Sequence, residues 1–285
     1  MQSEAHTARF QSLAFNAMDS EAWAGMQAEE GHLYIVGLEV LDNLPHDRVE
    51  WVDQGWMETW VSYCDDRHPH GTQELRELSD GEIAGCLGAC DWDGADQSKA
   101  EEESQESQER GGDGILASLE RFITTGSTTT SKVATTREGG ENDVLFLPTA
   151  AFSLLKNISA NVPSHTLLLM DFSSLPDVQV PGMNAPLISN TVDARANDFA
   201  SYFVPVGAAD IFFPTDFDAL SSMYMHQMSR QPSGSNCNTV VDARHVRSDE
   251  FFKVYGDLNV TTTLSGFNPL IEDFLNTRVF IGSRG

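Results

Sequence analysis

Two short apolar runs constrain the fold of this chain more than any other feature. Residues 33–38, LYIVGL, are interrupted by a single glycine, and residues 165–172, HTLLLMDF, are bounded by polar residues. Apolar runs of about four to eight residues are typical of strands buried on both faces, as in the centre of a parallel sheet. We therefore expect both runs to form central strands.

Helical patterns separate the predicted strands. Apolar residues recur at helical spacing within residues 145–164, with Thr149 as the predicted N-cap, and a second helix is predicted to open with Asp218 as its cap. The last residues indicate a short helix from Pro269 and a strand over 278–282. Strands that alternate with helices predict an α/β protein with a mostly parallel sheet.

Composition divides the chain into three parts. Residues 94–143 consist mainly of two low-complexity tracts, one of them acidic, and such tracts cannot bury enough apolar surface to fold. We expect this part to be a disordered acidic insertion. Residues 1–93 and 144–285 are then two stretches of the same α/β domain.

The charge balance narrows the range of partners. The chain has 285 residues, with 43 acidic and 17 basic side chains and a net charge of −26. Without a basic stripe to neutralise phosphates, nucleic acid is not an expected partner. A cationic protein segment fits this charge, although acidity that serves only solubility is an open alternative. The sequence contains no apolar run long enough to span a membrane and no readable targeting signal at its start.

Sequence motifs for metal binding and for nucleophilic catalysis lack support. Cys86 and Cys90 are followed by no second cysteine pair, their spacing is looser than in structural zinc sites, and His68 and His70 are the nearest histidines. No metal site is predicted. The chain also lacks a G-x-S-x-G elbow, a phosphate-binding P-loop and an H-E-x-x-H pair.

A cluster of carboxylate and amide side chains follows the first apolar run. Glu39, Asp42 and Asn43 come directly after residues 33–38, where the strand is predicted to end. Ligands of open α/β sheets bind outside the carboxyl ends of the strands, and paired carboxylates suit a guanidinium. The alternative is that Asp42 and Asn43 only cap a turn before Pro45.

A similar cluster precedes it in the chain. A short predicted strand near residues 10–15 is followed by Asn16, Ala17 and Met18, and then by a helix for which Asp19 could be a simple N-cap. Two consecutive strands would then end in small polar clusters at one edge of the sheet.

Four segments occur in an order that resembles one methyltransferase family. They are GLEVLDNLPHDRV, LLLMDFSSLP, ADIFFPTDF and SGFNPLIEDFLNTRVFIG. Together they are similar to the S-adenosylmethionine-dependent arginine methyltransferases that assist assembly of mitochondrial complex I, in their divergent fungal-type branch. The resemblance skips the insertion and implies a partial Rossmann-like, class I methyltransferase sheet with flanking helices.

The resemblance also implies roles for individual residues. Asn16, Ala17 and Met18 would lie beside the adenine ring of S-adenosyl-L-methionine, and Glu39 would face the site where the methyl donor meets its acceptor. Asp42 and Asn43 would orient the acceptor guanidinium. Asp210 and Asp216 match a later strand and its rim, with a role in holding the substrate or the sheet edge.

The family pattern begins with a strand and a glycine-rich loop that wraps the cofactor, and no such loop precedes residue 10. The expectation is therefore an N-terminally truncated form of a protein arginine N-methyltransferase, mitochondrial by resemblance, whose substrate is an arginine-bearing protein such as a complex I subunit. The alternative is a catalytically inactive assembly or binding protein with a methyltransferase-like fold.

Overall fold

The computed structural model describes residues 16–24, 31–53, 55–62, 71–90, 92, 144–193, 195–230 and 240–285. These residues form eleven strands in three sheets and seven helices. The strands are β1 (Leu33–Leu38), β2 (Asp47–Val52), β3 (Gly55–Ser62), β4 (Thr72–Glu77), β5 (Val144–Leu147), β6 (His165–Phe172), β7 (Leu187–Val192), β8 (Arg195–Asp198), β9 (Asp210–Phe212), β10 (Val241–Arg247) and β11 (Thr277–Arg284). The helices are α1 (Ser20–Ala24), α2 (Gly81–Ala89), α3 (Thr149–Asn161), α4 (Phe217–Ser229), α5 (Ser248–Tyr255), α6 (Leu258–Thr261) and α7 (Pro269–Glu272).

The three sheets are mixed in direction. The first has the strand order β1-β6-β11-β10, in which β1 and β6 are parallel and the other two pairings are antiparallel. The second sheet, β4-β3-β2-β5, and the third, β8-β7-β9, are antiparallel throughout. The predicted α/β class is confirmed, but the sheets are not mostly parallel: short hairpins join β2 to β3 and β7 to β8, and in the first sheet β11 runs antiparallel to both of its neighbours.

The second sheet pairs strands from both sides of the predicted insertion. β5 pairs with β2, and Leu147 lies opposite Asp47. The insertion itself, residues 94–143, lies outside the described residues, as does the strand predicted before residue 16.

The main core lies between the first sheet and the helices α3 and α4. Side chains of β6 alternate between buried and half-buried, and Leu167 and Leu169 face the helices. Leu155 of α3 and Tyr224 of α4 are fully buried in the same cluster. This alternation is expected of a strand with one face against a helical layer.

Strand β1 forms one edge of the first sheet as far as the described residues extend. Leu33 and Ile35 pack against the main core, but Tyr34, Val36 and Leu38 are 69%, 62% and 65% exposed on the other face. The prediction that β1 is buried on both faces is therefore wrong for the structure described. A continuous apolar run cannot reveal this difference, because it has no alternation from which one face could be recognised.

The helix boundaries agree closely with the sequence patterns. α3 begins at Thr149 with Pro148 at the cap position, and Asp216 caps α4 by accepting hydrogen bonds from the amides of Asp218 and Ala219 at 3.1 and 3.0 Å. The predicted caps were thus one and two residues late. α7 begins at Pro269, as predicted. In the part of the chain that the structure describes, no helix combines the length and apolarity needed to cross a bilayer.

The two faces of the first sheet should differ sharply in their tolerance of truncation. Leu167→Ala should lower the free energy of unfolding by about 2–5 kcal/mol, since it leaves a cavity in a closed core. Val36→Ala, at a 62% exposed site, should change it by only about 0.5 kcal/mol. Urea unfolding followed by circular dichroism would measure both, and equal losses would contradict the burial described.

His165, at the start of β6, should make the fold sensitive to acid. It is fully buried, its Nδ1 donates to the carbonyl of Val162 at 2.8 Å, and its Nε2 accepts from the hydroxyl of Tyr224 at 3.0 Å. Burial lowers the pKa of His165, with a further decrease from the charge of Arg284. The neutral ring therefore stabilises the fold fully above the unfolded-state pKa of about 6.5, and this stability is lost as the pH falls toward the lower folded-state pKa. The free energy of unfolding, measured at pH 7.5, 6.5 and 5.5, should fall with pH in the wild type and fall less in His165→Asn. The same pH dependence in both proteins would contradict this role of His165.

Candidate functional site

The candidate site is the turn that follows β1, at the carboxyl end of the parallel β1–β6 pair. The amide of Glu39 donates to the carbonyl of Met170 at 2.9 Å, which is the last ladder bond before the strand ends. Glu39 has φ of 51°, a left-handed conformation that turns the chain away from the sheet. Because parallel strands end at the same edge, this turn lies beside the end of β6.

Two buried carboxylates meet at this edge. Asp171, near the end of β6, is 1% exposed, and its Oδ2 accepts hydrogen bonds from the amides of Leu41 and Asp42 at 2.8 and 3.3 Å. Asp42 is 3% exposed, and its Oδ1 accepts from the side-chain amide of Asn43 at 2.6 Å. The carbonyl of Asp42 also accepts from the amide of Phe213 at 2.9 Å.

Burial opposes the ionisation of both carboxyl groups. Burial raises the pKa of Asp42, although the side-chain amide of Asn43 opposes the shift. Burial also raises the pKa of Asp171, and the charge of Asp42 raises it further. No Lys, Arg or His of the described ranges forms an ion pair with either carboxylate. Arg278, opposite Asp171 in the sheet register, donates to Nδ1 of His245 at 3.1 Å instead. Neither carboxylate therefore has a counter-ion among the described residues.

The structure places Glu39, Asp42 and Asn43 on one turn. The side-chain amide of Asn43 bonds to the carboxylate of Asp42 and reaches the carbonyl of Glu39 at 3.5 Å. The side chain of Glu39 is exposed, and Asn43 is exposed beside it. Asp42 is thus the buried member of the predicted trio, and Glu39 lies at its solvent-facing border.

Asn16, Ala17 and Met18 form a separate turn against helix α3. The carbonyl of Ala17 accepts from Nε1 of Trp23 at 2.8 Å, and the carbonyl of Met18 accepts from the side-chain amide of Asn157 at 2.9 Å. Asn157 is eight residues beyond the first residue of α3, or about 12 Å along the helix axis from its start. The described contacts do not bring this turn together with Glu39 or Asp42. The side chain of Asn16 is exposed, and it accepts from the amide of Met18 at 3.1 Å.

A small pocket lies between the first residues of α3 and those of α4, and Leu41 of the turn forms part of its wall. Its lining consists of Leu41, His46, Pro148, Ala151, Asn184, Pro214, Thr215, Asp216, Leu220 and Met223. The space suffices for about one water molecule, so this pocket does not hold a nucleoside in the conformation described.

His46 is the titratable side chain of this pocket that sequence reasoning missed. Its ring stacks on Phe213 with centroids 3.9 Å apart, and its Nδ1 donates to the carbonyl of Leu44 at 3.0 Å. Burial lowers the pKa of His46 to about 4, so the ring is neutral at physiological pH. Asp171 was also missed, although an acidic residue inside an otherwise apolar strand was a usable signal.

Of the remaining residues singled out in the sequence, Asp216 alone lines the pocket among those that the structure describes. Asp216 lines the pocket and caps α4, whereas Asp210 is exposed on β9. Cys86 is buried on α2, where its sulfur lies 3.7 Å from that of Met223. His68 and His70 lie outside the described residues, and the described ones contain no group of three or more metal-ligating side chains.

Fold and site together define a mixed α/β protein with two buried carboxyl groups at the ends of two parallel strands. A family model described as "Putative S-adenosyl-L-methionine-dependent methyltransferase" matches residues 4–236. The chain belongs to this family. The predicted transferase class and the cofactor, S-adenosyl-L-methionine, are thereby confirmed at the level of the family.

Two solved structures from Burkholderia thailandensis are similar to the chain. One is an uncharacterised superfamily protein with 16% identity and a TM-score of 0.51, and the match covers 90% of this chain and 56% of the other. The second, a superfamily member bound to S-adenosyl-homocysteine, has 16% identity, a TM-score of 0.49 and coverage of 90% and 55%. The chain thus spans about half the length of these solved relatives. No curated protein matches it.

Replacing Asp42 by asparagine should stabilise the protein at neutral pH. A raised carboxyl pKa means that ionisation opposes folding, so wild-type stability falls as the pH rises through the folded-state pKa of Asp42. Asp42→Asn removes this cost. Its urea midpoint should exceed that of the wild type at pH 7, and the difference should shrink as the pH falls toward 4. A lower midpoint at pH 7 would show that the carboxylate stabilises the turn.

Proposed function

We propose that the chain supplies the acceptor side of an S-adenosyl-L-methionine-dependent protein arginine N-methyltransferase. The observation that carries the proposal is the buried carboxylate of Asp42, which lies beside Asp171 without a cationic partner among the described residues. A guanidinium placed at this edge would neutralise the site, and its planar donors match carboxylate oxygens two at a time.

The same arrangement suits the chemistry of methyl transfer to nitrogen. A guanidinium is a weak nucleophile because its lone pairs are delocalised. Carboxylates that accept from two of its nitrogens hold positive charge there and leave the third nitrogen more reactive. We assign this role to Asp42 and Glu39, while the side-chain amide of Asn43 fixes the orientation of the Asp42 carboxylate. Holding the acceptor nitrogen in line with the donor contributes through proximity and orientation.

The acidic edge also fits the charge of the cofactor. S-adenosyl-L-methionine, when bound, supplies a methyl group on a cationic sulfonium, and negative side chains favour a cation at that position. Asn16 has an exposed side-chain amide that could contact the adenine, while the carbonyls of Ala17 and Met18 are already hydrogen-bonded within the fold. The proposal therefore assigns Asn16, with apolar contact from Met18, to the nucleoside.

The resemblance of the sequence extends the proposal to a substrate and a location. An arginine-bearing subunit of mitochondrial complex I is the proposed substrate, and the mitochondrion is the proposed compartment. The net charge of −26 supports a cationic protein segment as the partner, since opposite charges accelerate encounter and favour binding.

Methyl transfer from labelled S-adenosyl-L-methionine to two peptides that differ only in arginine or lysine tests the proposal. We expect transfer to the arginine peptide only, with a loss of about tenfold or more in Asp42→Asn and Glu39→Gln, because each removes a charged hydrogen-bond acceptor. Glu77→Gln, an exposed glutamate on β4 in the second sheet, is the matched control and should retain full activity. Activity of Glu39→Gln within about threefold of the wild type would remove Glu39 from the chemistry.

Calorimetry with S-adenosyl-L-methionine and with the arginine peptide separates the enzyme from the binding-only alternative. Heat with both ligands is expected of the enzyme. Heat with the peptide alone would indicate a methyltransferase-like protein that only binds its partner. Heat with neither would contradict the proposal for this chain.

A further inference from the structure

We propose that Asp171 is a positioning residue, which holds the turn after β1 in the conformation that directs Asp42 toward the acceptor guanidinium. This inference rests on the proposed function and adds to it a residue from the neighbouring strand. Asp171 need not touch the substrate; it acts through the backbone that carries Asp42.

The first observation is the set of hydrogen bonds that Asp171 accepts. Its Oδ2 receives the amides of Leu41 and Asp42 at 2.8 and 3.3 Å, and its Oδ1 receives the amide of Phe172 at 2.8 Å. These donors are all backbone N–H groups, and Asp171 is 1% exposed. A buried carboxylate in this position replaces the ladder partners that the chain loses where the strand ends.

The second observation is the conformation of the turn itself. The chain leaves β1 through Glu39, whose φ of 51° is unfavourable for a residue with a side chain. The amide of Leu44 then closes the turn onto the carbonyl of Leu41 at 3.1 Å. A conformation of this kind persists only where the surroundings fix it, and Asp171 bonds to two consecutive amides within the turn.

The third observation is the way in which Asp42 is oriented. The amide of Asp42 donates to the carboxylate of Asp171, and the carbonyl of Asp42 accepts from the amide of Phe213 at 2.9 Å. The side-chain amide of Asn43 donates to the carboxylate of Asp42. The backbone of Asp42 is thus held on both sides, and on one of these sides the partner is a side chain that mutation can change. Removing the acceptor at Asp171 should free the turn without altering the carboxylate of Asp42.

Asp171→Asn tests the inference because it keeps the size of the side chain and removes one acceptor. Asp249→Asn is the matched control: Asp249 is 9% exposed on α5, bonds to Arg247 and Lys253, and makes none of the contacts of the turn. Amide hydrogen exchange at Leu41 and Asp42 reports the turn, and calorimetry with acetyl-arginine amide reports the site. We expect faster exchange at both amides and about tenfold weaker binding in Asp171→Asn alone.

The outcomes separate the inference from the proposed function. Normal affinity of Asp171→Asn, with normal binding by the wild type, would overturn the inference and leave the function standing. No binding by the wild type would remove the proposed function, and the inference with it. If Asp171→Asn does not fold, Asp171→Ser takes its place, and unprotected Leu41 and Asp42 amides in the wild type would overturn the inference without any variant.

Discussion

The parallel pairing of β1 with β6 is the interaction on which the candidate site depends. Its register places Leu38 beside Met170, so β1 ends two residues before β6 does, and the turn that follows β1 lies beside the last residues of β6. One residue beyond Met170, the carboxylate of Asp171 accepts hydrogen bonds from the amides of Leu41 and Asp42, which follow the end of β1. A shift of this register by one residue would move Asp171 to the opposite face and separate it from the turn. The site is therefore a consequence of strand pairing and not of an independent loop.

The helical layer secures the same register from the other side. Leu167 and Leu169 alternate with half-buried residues along β6, and their burial beneath α3 and α4 fixes which face Asp171 shares. Asp171 continues this alternation, so it lies on the buried face where solvent cannot compete for its hydrogen bonds. The apolar core thus determines which face of β6 carries the carboxylate that holds the turn.

The sequence predicted the turn after β1 but not the hydrogen bonds to Asp171 that hold it. The end of an apolar run followed by Glu39, Asp42 and Asn43 was sufficient to place these residues at a strand end, because strand length and polarity are local properties. The contact between Asp171 and Leu41 joins residues 130 positions apart, and no local pattern encodes it. The exposure of Val36 was missed for the same reason, since it depends on which strands lie beside β1. His46 was missed because its low pKa arises from burial by Phe213 and the pocket walls, which come from distant segments.

The cost of the acidic edge is itself an argument for its use. A buried carboxylate without a counter-ion opposes folding, and the fold also carries a net charge of −26. Natural sequences depart from the most stable choice mainly at functional sites, where strain or unpaired charge is needed for binding. A residue serving only as a turn cap would gain its hydrogen bonds equally well as asparagine, without the charge. The cationic acceptor proposed above would offset the cost of the Asp42 carboxylate, whereas the carboxylate of Asp171 is accounted for by the backbone amides that it accepts from the turn.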